Sequence, residues 1–278
     1  MGLTLFSLSG SSRQTTEILI LSHTTESTTT WKVDGQCVSS QTHEFSGTID
    51  LESPERGIYV EHVAGGVALQ DCRLLQLNSL RDTDRLGRVE ETYTRGSDVV
   101  VTYSPTPSEI RLQIYWRRQQ FPVDGGTAVG IQMIVSVQTH LLDVDPSLSI
   151  VSSLQAAESW SYSDNPNARL ETCQTIHANS ADDARSGSLL TRLFRLESAD
   201  VSYVEIVSEQ DCHSMCFEQT VGPPTMIRCE TKLFHERLEK GVIRRARIWG
   251  IFVPRGQDIS AIRDCQKYVA ANPLPLTT

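Results

Sequence analysis

Several features that would place this protein in a specialised class are scarce or missing. The 278-residue sequence has no apolar run near the length of about 18 residues that a membrane-spanning helix needs. Its 25 Lys and Arg residues are outnumbered by 34 Asp and Glu residues, which gives a formal net charge of -9. A broad basic surface is therefore not expected, and we predict neither a nucleic-acid partner nor a membrane partner.

The N-terminus and the cysteines indicate the compartment. Residues 1–10 lack the basic residues that open a signal peptide, and Thr and Ser interrupt their apolar stretch. The seven cysteines are an odd number without the spacing of a disulfide framework. Reduced, buried thiols and a cytoplasmic location are expected for such a chain.

Motifs for cofactor chemistry are also missing. The sequence contains no Gly-x-x-x-x-Gly-Lys phosphate loop, no Gly-x-Ser-x-Gly nucleophile turn and no His-Glu-x-x-His pair. Its one cluster of soft-metal ligands consists of Cys212, His213 and Cys216, with Cys229 and His235 further along the chain. On a strand the thiols of Cys212 and Cys216 would lie roughly 13 Å apart, too far for one zinc ion. We therefore predict no metal and no cofactor.

Strand patterns dominate the rest of the sequence. Residues 98–103 and 109–116 are rich in β-branched and aromatic residues, and the prolines between them predict a hairpin with a longer loop. Residues 129–140 alternate with a period of two, which predicts a strand with one buried face. Residues 161–188, rich in Ser, Asn, Asp and Ala, predict a long loop.

A single convincing helix is predicted near the C-terminus, over residues 258–272. Asp258 or Ser260 is expected to cap it, and Asn272-Pro273 ends it. The fold class is therefore predicted to be all-β: a large antiparallel β-sandwich with a short C-terminal helix.

Short repeated motifs suggest an internal duplication. Leu51-Glu52-Ser53 and Tyr59-Val60-Glu61 recur in the same order as Leu196-Glu197-Ser198 and Tyr203-Val204-Glu205, at an offset close to half of 278. We predict two similar β halves, residues 1–140 and residues 141–278 with the helix, merged into one supersandwich-like domain. Two separate sandwiches, or chance reuse of short strand motifs, are the alternatives.

One group of residues could carry acid–base chemistry. His235, Glu230 and Glu236 are the catalytic candidates, because a Glu and a His can serve as base and acid in a proton transfer. The alternative is a solvated sheet face with cross-strand charge pairs.

A second group could bind a ligand. Arg244, Arg245 and Arg247 form the strongest positive run in an acidic chain and would suit a phosphate, a sulfate or a sugar carboxylate. Trp249 and Trp116 add aromatic faces beside arginines. The alternative is core aromatics flanked by arginines whose stems are buried.

In overall plan, a doubled, helix-poor β chain of this length resembles the galactose-mutarotase-like supersandwich. The His and Glu motifs of sugar epimerases are not recognisable here, so the resemblance assigns no catalytic residue. The leading expectation is a non-enzymatic binding or interaction role, with a protein partner at the sheet edges or the 161–188 loop. The alternative is a carbohydrate-binding or mutarotase-like sugar-active protein, with a small carbohydrate or an anion as ligand.

Overall fold

The computed structural model describes residues 31–42, 44–63, 66–79, 86–106, 109–124, 126–162, 171–172, 176–177, 188–220, 222, 224–234 and 236–272.

Within these residues the chain forms eighteen strands and one α-helix. The strands are β1 (Lys32–Asp34), β2 (Cys37–Gln41), β3 (Phe45–Asp50), β4 (Ile58–Val63), β5 (Val67–Ala68), β6 (Arg73–Ser79), β7 (Val89–Arg95), β8 (Asp98–Tyr103), β9 (Ile110–Val123), β10 (Gly126–Thr139), β11 (Leu148–Tyr162), β12 (Glu171–Thr172), β13 (Ile176–His177), β14 (Leu189–Leu196), β15 (Val201–Ser208), β16 (Cys212–Gln219), β17 (Met226–Leu233) and β18 (Ile243–Pro254). The helix is α1 (Asp258–Ala271), and short 3₁₀ turns lie at Pro54–Arg56 and Arg255–Gln257.

The strands form two antiparallel sheets that share one long strand. Sheet A has the order β1-β2-β3-β4-β6-β11-β17-β16-β13, with β5 also paired to β4. Sheet B has the order β7-β8-β9-β10-β18-β15-β14-β11-β12. β11 leaves sheet A and enters sheet B at a bulge between Ala156 and Glu158. The all-β antiparallel sandwich with a C-terminal helix is thus confirmed.

Both sheets contain strands from residues 1–140 and from residues 141–278. The first pair of repeated motifs accompanies the β3–β4 hairpin, and the second accompanies the β14–β15 hairpin. The duplication and the division into two halves stay predictions.

The main core lies between the two sheets. Alternation along the strands places Val99 and Val101 of β8 on this side, together with Met133 and Val135 of β10. Tyr103 is completely buried here, and its hydroxyl donates a 2.8 Å hydrogen bond to the Leu51 carbonyl. The predicted hairpin of β8 and β9 is confirmed by their antiparallel pairing.

A polar cluster is buried in the same core. Glu205 lies opposite Arg192 in the β14–β15 register, and both side chains are buried. The Tyr203 hydroxyl donates to Glu205 Oε1 at 3.1 Å and lies 3.5 Å from Ser152 Oγ. Burial raises the pKa of Glu205, whereas hydrogen bonds from Ser152 and Tyr203 act in the opposite direction.

A smaller core lies under α1, on the opposite side of sheet B. The apolar stripe of the helix, formed by Ala261, Ile262, Cys265 and Val269, packs on strand residues that include Trp249. The helix is confirmed almost to its predicted bounds.

The predicted helix cap is wrong. The residue before the helix is Gln257, which makes no side-chain cap, because a 3₁₀ turn leads directly into the first turn of α1. The Asp258 carboxylate instead accepts hydrogen bonds from Arg195 Nε at 2.9 Å and from Ser202 Oγ at 3.1 Å.

Two further expectations need correction. β10 is buried on both faces between Ala128 and Val137, because one face meets the main core through Met133 and Val135 and Ala128 on the other face belongs to the smaller core under α1. The predicted loop over 161–188 contains the end of β11 and the short strands β12 and β13. In the described part of the chain, no helix has both the length and the apolar character needed to cross a bilayer.

Candidate functional site

The outer face of sheet B, which is turned away from the inter-sheet core, carries aromatic and charged side chains on β7, β8 and β9. Residues that pair across antiparallel strands lie side by side on one face. Tyr93 is opposite Val100, and Val100 is opposite Tyr115. One step along the strands, Arg95 is opposite Asp98. These strands therefore present two adjacent rows of side chains.

α1 covers the neighbouring part of this face. Tyr268 of α1 packs edge-on against Phe121 of β9, with ring centroids 5.0 Å apart, and against Trp249 of β18 at 6.4 Å. The Arg247 guanidinium donates to the backbone carbonyl of Asn272 and so fastens the C-terminal end of the helix to β18. The helix thus fills one part of the outer face and leaves the β7–β9 part accessible.

The accessible part is a groove with a volume of about 910 Å³, which lies within the range of about 300–1,000 Å³ typical of small-molecule sites. The lining consists of Tyr93, Arg95, Gly96, Ser97, Asp98, Val100, Tyr115, Arg117, Arg118, Gln119, Gln120 and Arg245. The groove is thus rich in hydrogen-bonding side chains and contains two tyrosine rings.

A charged pair is fixed in the groove. Arg117 Nε donates to Asp98 Oδ1 at 2.6 Å, and Arg117 Nη2 donates to Asp98 Oδ2 at 2.7 Å. These hydrogen bonds are the main reason why the pKa of Arg117 is raised. Two parallel bonds between planar groups allow little rotation, so the pair is a preorganised element of the groove.

Tyr115 and Arg245 form an aromatic–cation pair beside it. The guanidinium carbon of Arg245 lies 5.8 Å from the centroid of the Tyr115 ring. The Tyr115 hydroxyl donates to Gln113 Oε1 at 2.6 Å, and Gln113 Nε2 donates to Thr102 Oγ1 at 3.0 Å. Burial raises the pKa of Tyr115, so its phenol is neutral at physiological pH.

The three predicted arginines of β18 do not act together. Arg245 lines the groove, whereas Arg247 is buried and holds the end of α1. Arg244 projects from the opposite side of the strand and pairs with Glu236 at the surface.

The two predicted tryptophans lie on opposite faces of sheet B. Trp116 is fully buried in the inter-sheet core, and Trp249 is buried under α1 with Arg247 above its ring. Neither indole lines the groove; the aromatic faces there belong to Tyr93 and Tyr115.

Two of the three predicted acid–base candidates, Glu230 and Glu236, lie away from the groove. Glu230, on β17 of sheet A, accepts hydrogen bonds from Ser149 Oγ at 2.7 Å and from Arg228 Nη1 at 3.2 Å. Glu236 follows the end of β17 and pairs with Arg244. His235 lies outside the described residues. The structure therefore does not bring Glu230 and Glu236 to one site with a shared partner.

Sequence reasoning did not select Tyr93, Tyr115 or Asp98 as site residues. A signal for Tyr115 was present, because adjacent residues on a strand point to opposite faces, so either Tyr115 or Trp116 had to face outwards. The signal for Asp98 was weaker and consisted only of its position at the start of β8, where it lies directly opposite Arg117 of β9.

The two thiols considered as metal ligands, Cys212 and Cys216, both lie on β16. Among the described residues, no group of three or more His, Cys, Asp or Glu side chains could hold a metal ion. Cys212 is buried and Cys216 is half-buried, and neither forms a disulfide. Burial raises the pKa of Cys212 to about 12, which disfavours the thiolate that a metal would need. The cytoplasmic location stays a prediction.

Comparison with known proteins gives structural neighbours only. No protein family and no curated protein matches the sequence. A galactose mutarotase-like protein from Lactobacillus casei is similar with 12% identity and a TM-score of 0.46, over 78% of this chain and 100% of that one. A GH36 alpha-galactosidase from Geobacillus stearothermophilus is similar with 11% identity and a TM-score of 0.32, over 69% of this chain and 29% of that one. A second structure of that enzyme, the A355E form in complex with 1-deoxygalactonojirimycin, has a TM-score of 0.33.

These neighbours correct one expectation. The leading expectation of a non-enzymatic interaction role is contradicted by these neighbours, which are a mutarotase-like protein and a GH36 alpha-galactosidase; at 11% and 12% identity the likeness itself is one of fold.

Proposed function

We propose that this protein is sugar-active and binds a carbohydrate in the groove on the outer face of sheet B. The observation that carries the proposal is the pairing of the Tyr115 ring with hydrogen-bonding groups in one groove. A pyranose has a ring face lined by C–H groups and an edge lined by hydroxyls. It therefore needs a flat apolar surface beside donors and acceptors that do not move.

The groove supplies both requirements. Tyr93 on β7 and Tyr115 on β9 offer ring faces on either side of β8, with the buried Val100 of β8 between them. Asp98 and Arg117 offer a carboxylate and a guanidinium whose positions are set by their mutual hydrogen bonds. Because the Tyr115 hydroxyl is already bound to Gln113, the tyrosine would contribute its ring rather than its proton to a ligand.

Binding can be tested with an array of neutral and acidic oligosaccharides, followed by titration calorimetry of the best ligand. We expect Tyr115→Ala to weaken binding about tenfold or more, because it removes the aromatic face and the partner of Arg245. Polarimetry with common hexoses would show in the same samples whether binding is coupled to mutarotation.

Tyr59→Ala is the matched control. Tyr59 lies on β4 of sheet A and carries Arg73 above its ring at 5.2 Å, so it reproduces the same side-chain pair outside the groove. Binding should be unchanged in this variant. The proposal would be abandoned if no saccharide bound, or if Tyr59→Ala and Tyr115→Ala weakened binding equally.

A further inference from the structure

Strand β7 lies at one edge of sheet B and exposes most of its side chains. Among the residues that the structure describes, β7 pairs only with β8, so its other side has no strand partner there. The strand contains no proline and no lysine, two residues that commonly protect a sheet edge from further pairing. Tyr93, near its middle, is 42% exposed. An edge of this kind is a template for one more strand.

The hairpin geometry determines which backbone groups face this edge. A two-residue turn at 96–97 joins β7 to β8, so Arg95 and Asp98, which close the turn, are a hydrogen-bonded pair. Hydrogen-bonded and non-hydrogen-bonded pairs alternate along an antiparallel ladder. The N–H and C=O groups of Thr92 and Thr94 therefore point away from β8, towards the edge.

The outer-face side chains of β7 form a short pattern with opposite charges at its ends. Glu91, Tyr93 and Arg95 alternate along the strand and lie on one face of sheet B. Within the described part of the chain, neither Glu91 nor Arg95 forms an ion pair, whereas the neighbouring Glu90 accepts a hydrogen bond from Arg111 at 2.6 Å. The pattern is thus an acid and a base at equal distances from a central aromatic ring.

We propose that two copies of this chain pair antiparallel through β7, about a two-fold axis at Tyr93. In this register Glu91 lies opposite Arg95 of the partner subunit, and the two-fold axis repeats the same pair on the other side. The two Tyr93 rings meet at the axis as a non-hydrogen-bonded pair, in which side chains lie closest. Thr92 and Thr94 exchange backbone hydrogen bonds across the interface. A parallel arrangement would instead place like charges side by side.

This pairing also determines where the two grooves lie. An antiparallel edge-to-edge dimer keeps the same face of both sheets on the same side. The two grooves, each lined by Tyr93 and Arg95, are therefore adjacent in the dimer. The inference does not depend on what the groove binds, because it rests on the edge strand alone.

The test is the oligomeric state of the full chain, measured by analytical ultracentrifugation over a range of protein concentrations. We expect a reversible monomer–dimer equilibrium. Thr94→Pro should abolish the dimer, because proline removes an N–H group that points to the partner and leaves the ladder with β8 intact. Far-UV circular dichroism and thermal unfolding of the variant show whether it keeps the fold.

Charge reversal tests the register without altering the backbone. Glu91→Arg and Arg95→Glu should each weaken the dimer about tenfold or more, because each creates two like-charged pairs across the interface. An equimolar mixture of the two variants should restore dimerisation, since every pair in the mixed dimer again joins opposite charges. Lys32→Glu is the matched control, because Lys32 is an exposed residue of β1 at the edge of sheet A, and it should leave the equilibrium unchanged.

Three results would overturn the proposal. A chain that stays monomeric at every concentration has no such interface. A dimer that survives Thr94→Pro, or that Lys32→Glu weakens as much as Glu91→Arg does, uses another surface. If the two charge reversals weaken the dimer but their mixture does not recover it, the register centred on Tyr93 is wrong. Because no sugar enters these measurements, their outcome is separate from that of the proposed function.

Discussion

The attachment of α1 to sheet B depends on Asp258, and Asp258→Ala is the sharpest stability test of the structure. The Asp258 side chain is only 4% exposed. It accepts hydrogen bonds from Arg195 Nε at 2.9 Å, from Arg195 Nη2 at 3.4 Å and from Ser202 Oγ at 3.1 Å. Truncation would remove all three bonds at the start of the helix that borders the groove.

The magnitude follows from what each partner loses. Breaking a buried ion pair by removing one partner costs about 3–5 kcal/mol when the other charge is left without compensation. Here Arg195 is 29% exposed and retains Glu158 at 2.9 Å, so part of its charge stays solvated and paired. We therefore expect Asp258→Ala to lower the free energy of unfolding by about 2–3 kcal/mol.

Urea denaturation followed by tryptophan fluorescence measures this change, since Trp249 lies beneath α1. Asp264→Ala is the matched control on the same helix: Asp264 pairs with the exposed Lys267 at 3.2 Å, and its loss should cost at most about 0.5–1 kcal/mol. A loss for Asp258→Ala no larger than that for Asp264→Ala would refute the account of how the helix is held.

Two other predictions concern the packing around Gly250 and the titration of the Asp211 carboxyl group. Gly250→Ala would place a Cβ atom 2.5 Å from the Tyr203 hydroxyl and should lower the free energy of unfolding by about 2–3 kcal/mol. Gly256→Ala is the control and should be nearly neutral, because a Cβ atom at Gly256 meets nothing within 4 Å. Equal effects of the two substitutions in urea denaturation would contradict this packing. Burial raises the pKa of Asp211 from 3.8 to about 6, so the folded state holds this proton more tightly than the unfolded chain. The associated stability is complete below about pH 4 and is lost as the pH rises through about 6, so the wild type should lose up to about 2–3 kcal/mol more than Asp211→Asn between pH 4 and 7. Parallel stability curves for the two proteins would show that Asp211 is not protonated in the folded state near pH 5.

Local patterns predicted much of the fold. The β-branched and aromatic residues of 98–103 and 109–116 predicted two strands that are adjacent in sequence, so their pairing needed no information about distant parts of the chain. The C-terminal helix could also be predicted from the sequence, because its apolar stripe and its stop signal are both local. The residue that caps the helix could not be predicted in this way, because Asp258 binds Arg195, a partner 63 residues away.

The site was only partly predictable, because it depends on which elements cover which face. Alternation along β18 places Arg245, Arg247 and Trp249 on one face, yet only the position of α1 decides that Arg245 lines the groove while Trp249 is buried. The same ambiguity applies to β9, where Trp116 enters the core and Tyr115 faces outwards. The pairing of β10 with β18, which brings Arg245 towards Tyr115, joins residues more than a hundred positions apart.

The most direct test of the central claim is to locate the bound sugar on the protein. In a titration of the isotope-labelled chain with the tightest saccharide from the array, changes in backbone amide chemical shifts should concentrate on β7, β8, the 115–120 segment of β9 and Arg245. Shifts confined to sheet A, or to the surface where Asp124 meets α1, would contradict the assignment of the groove as the carbohydrate site.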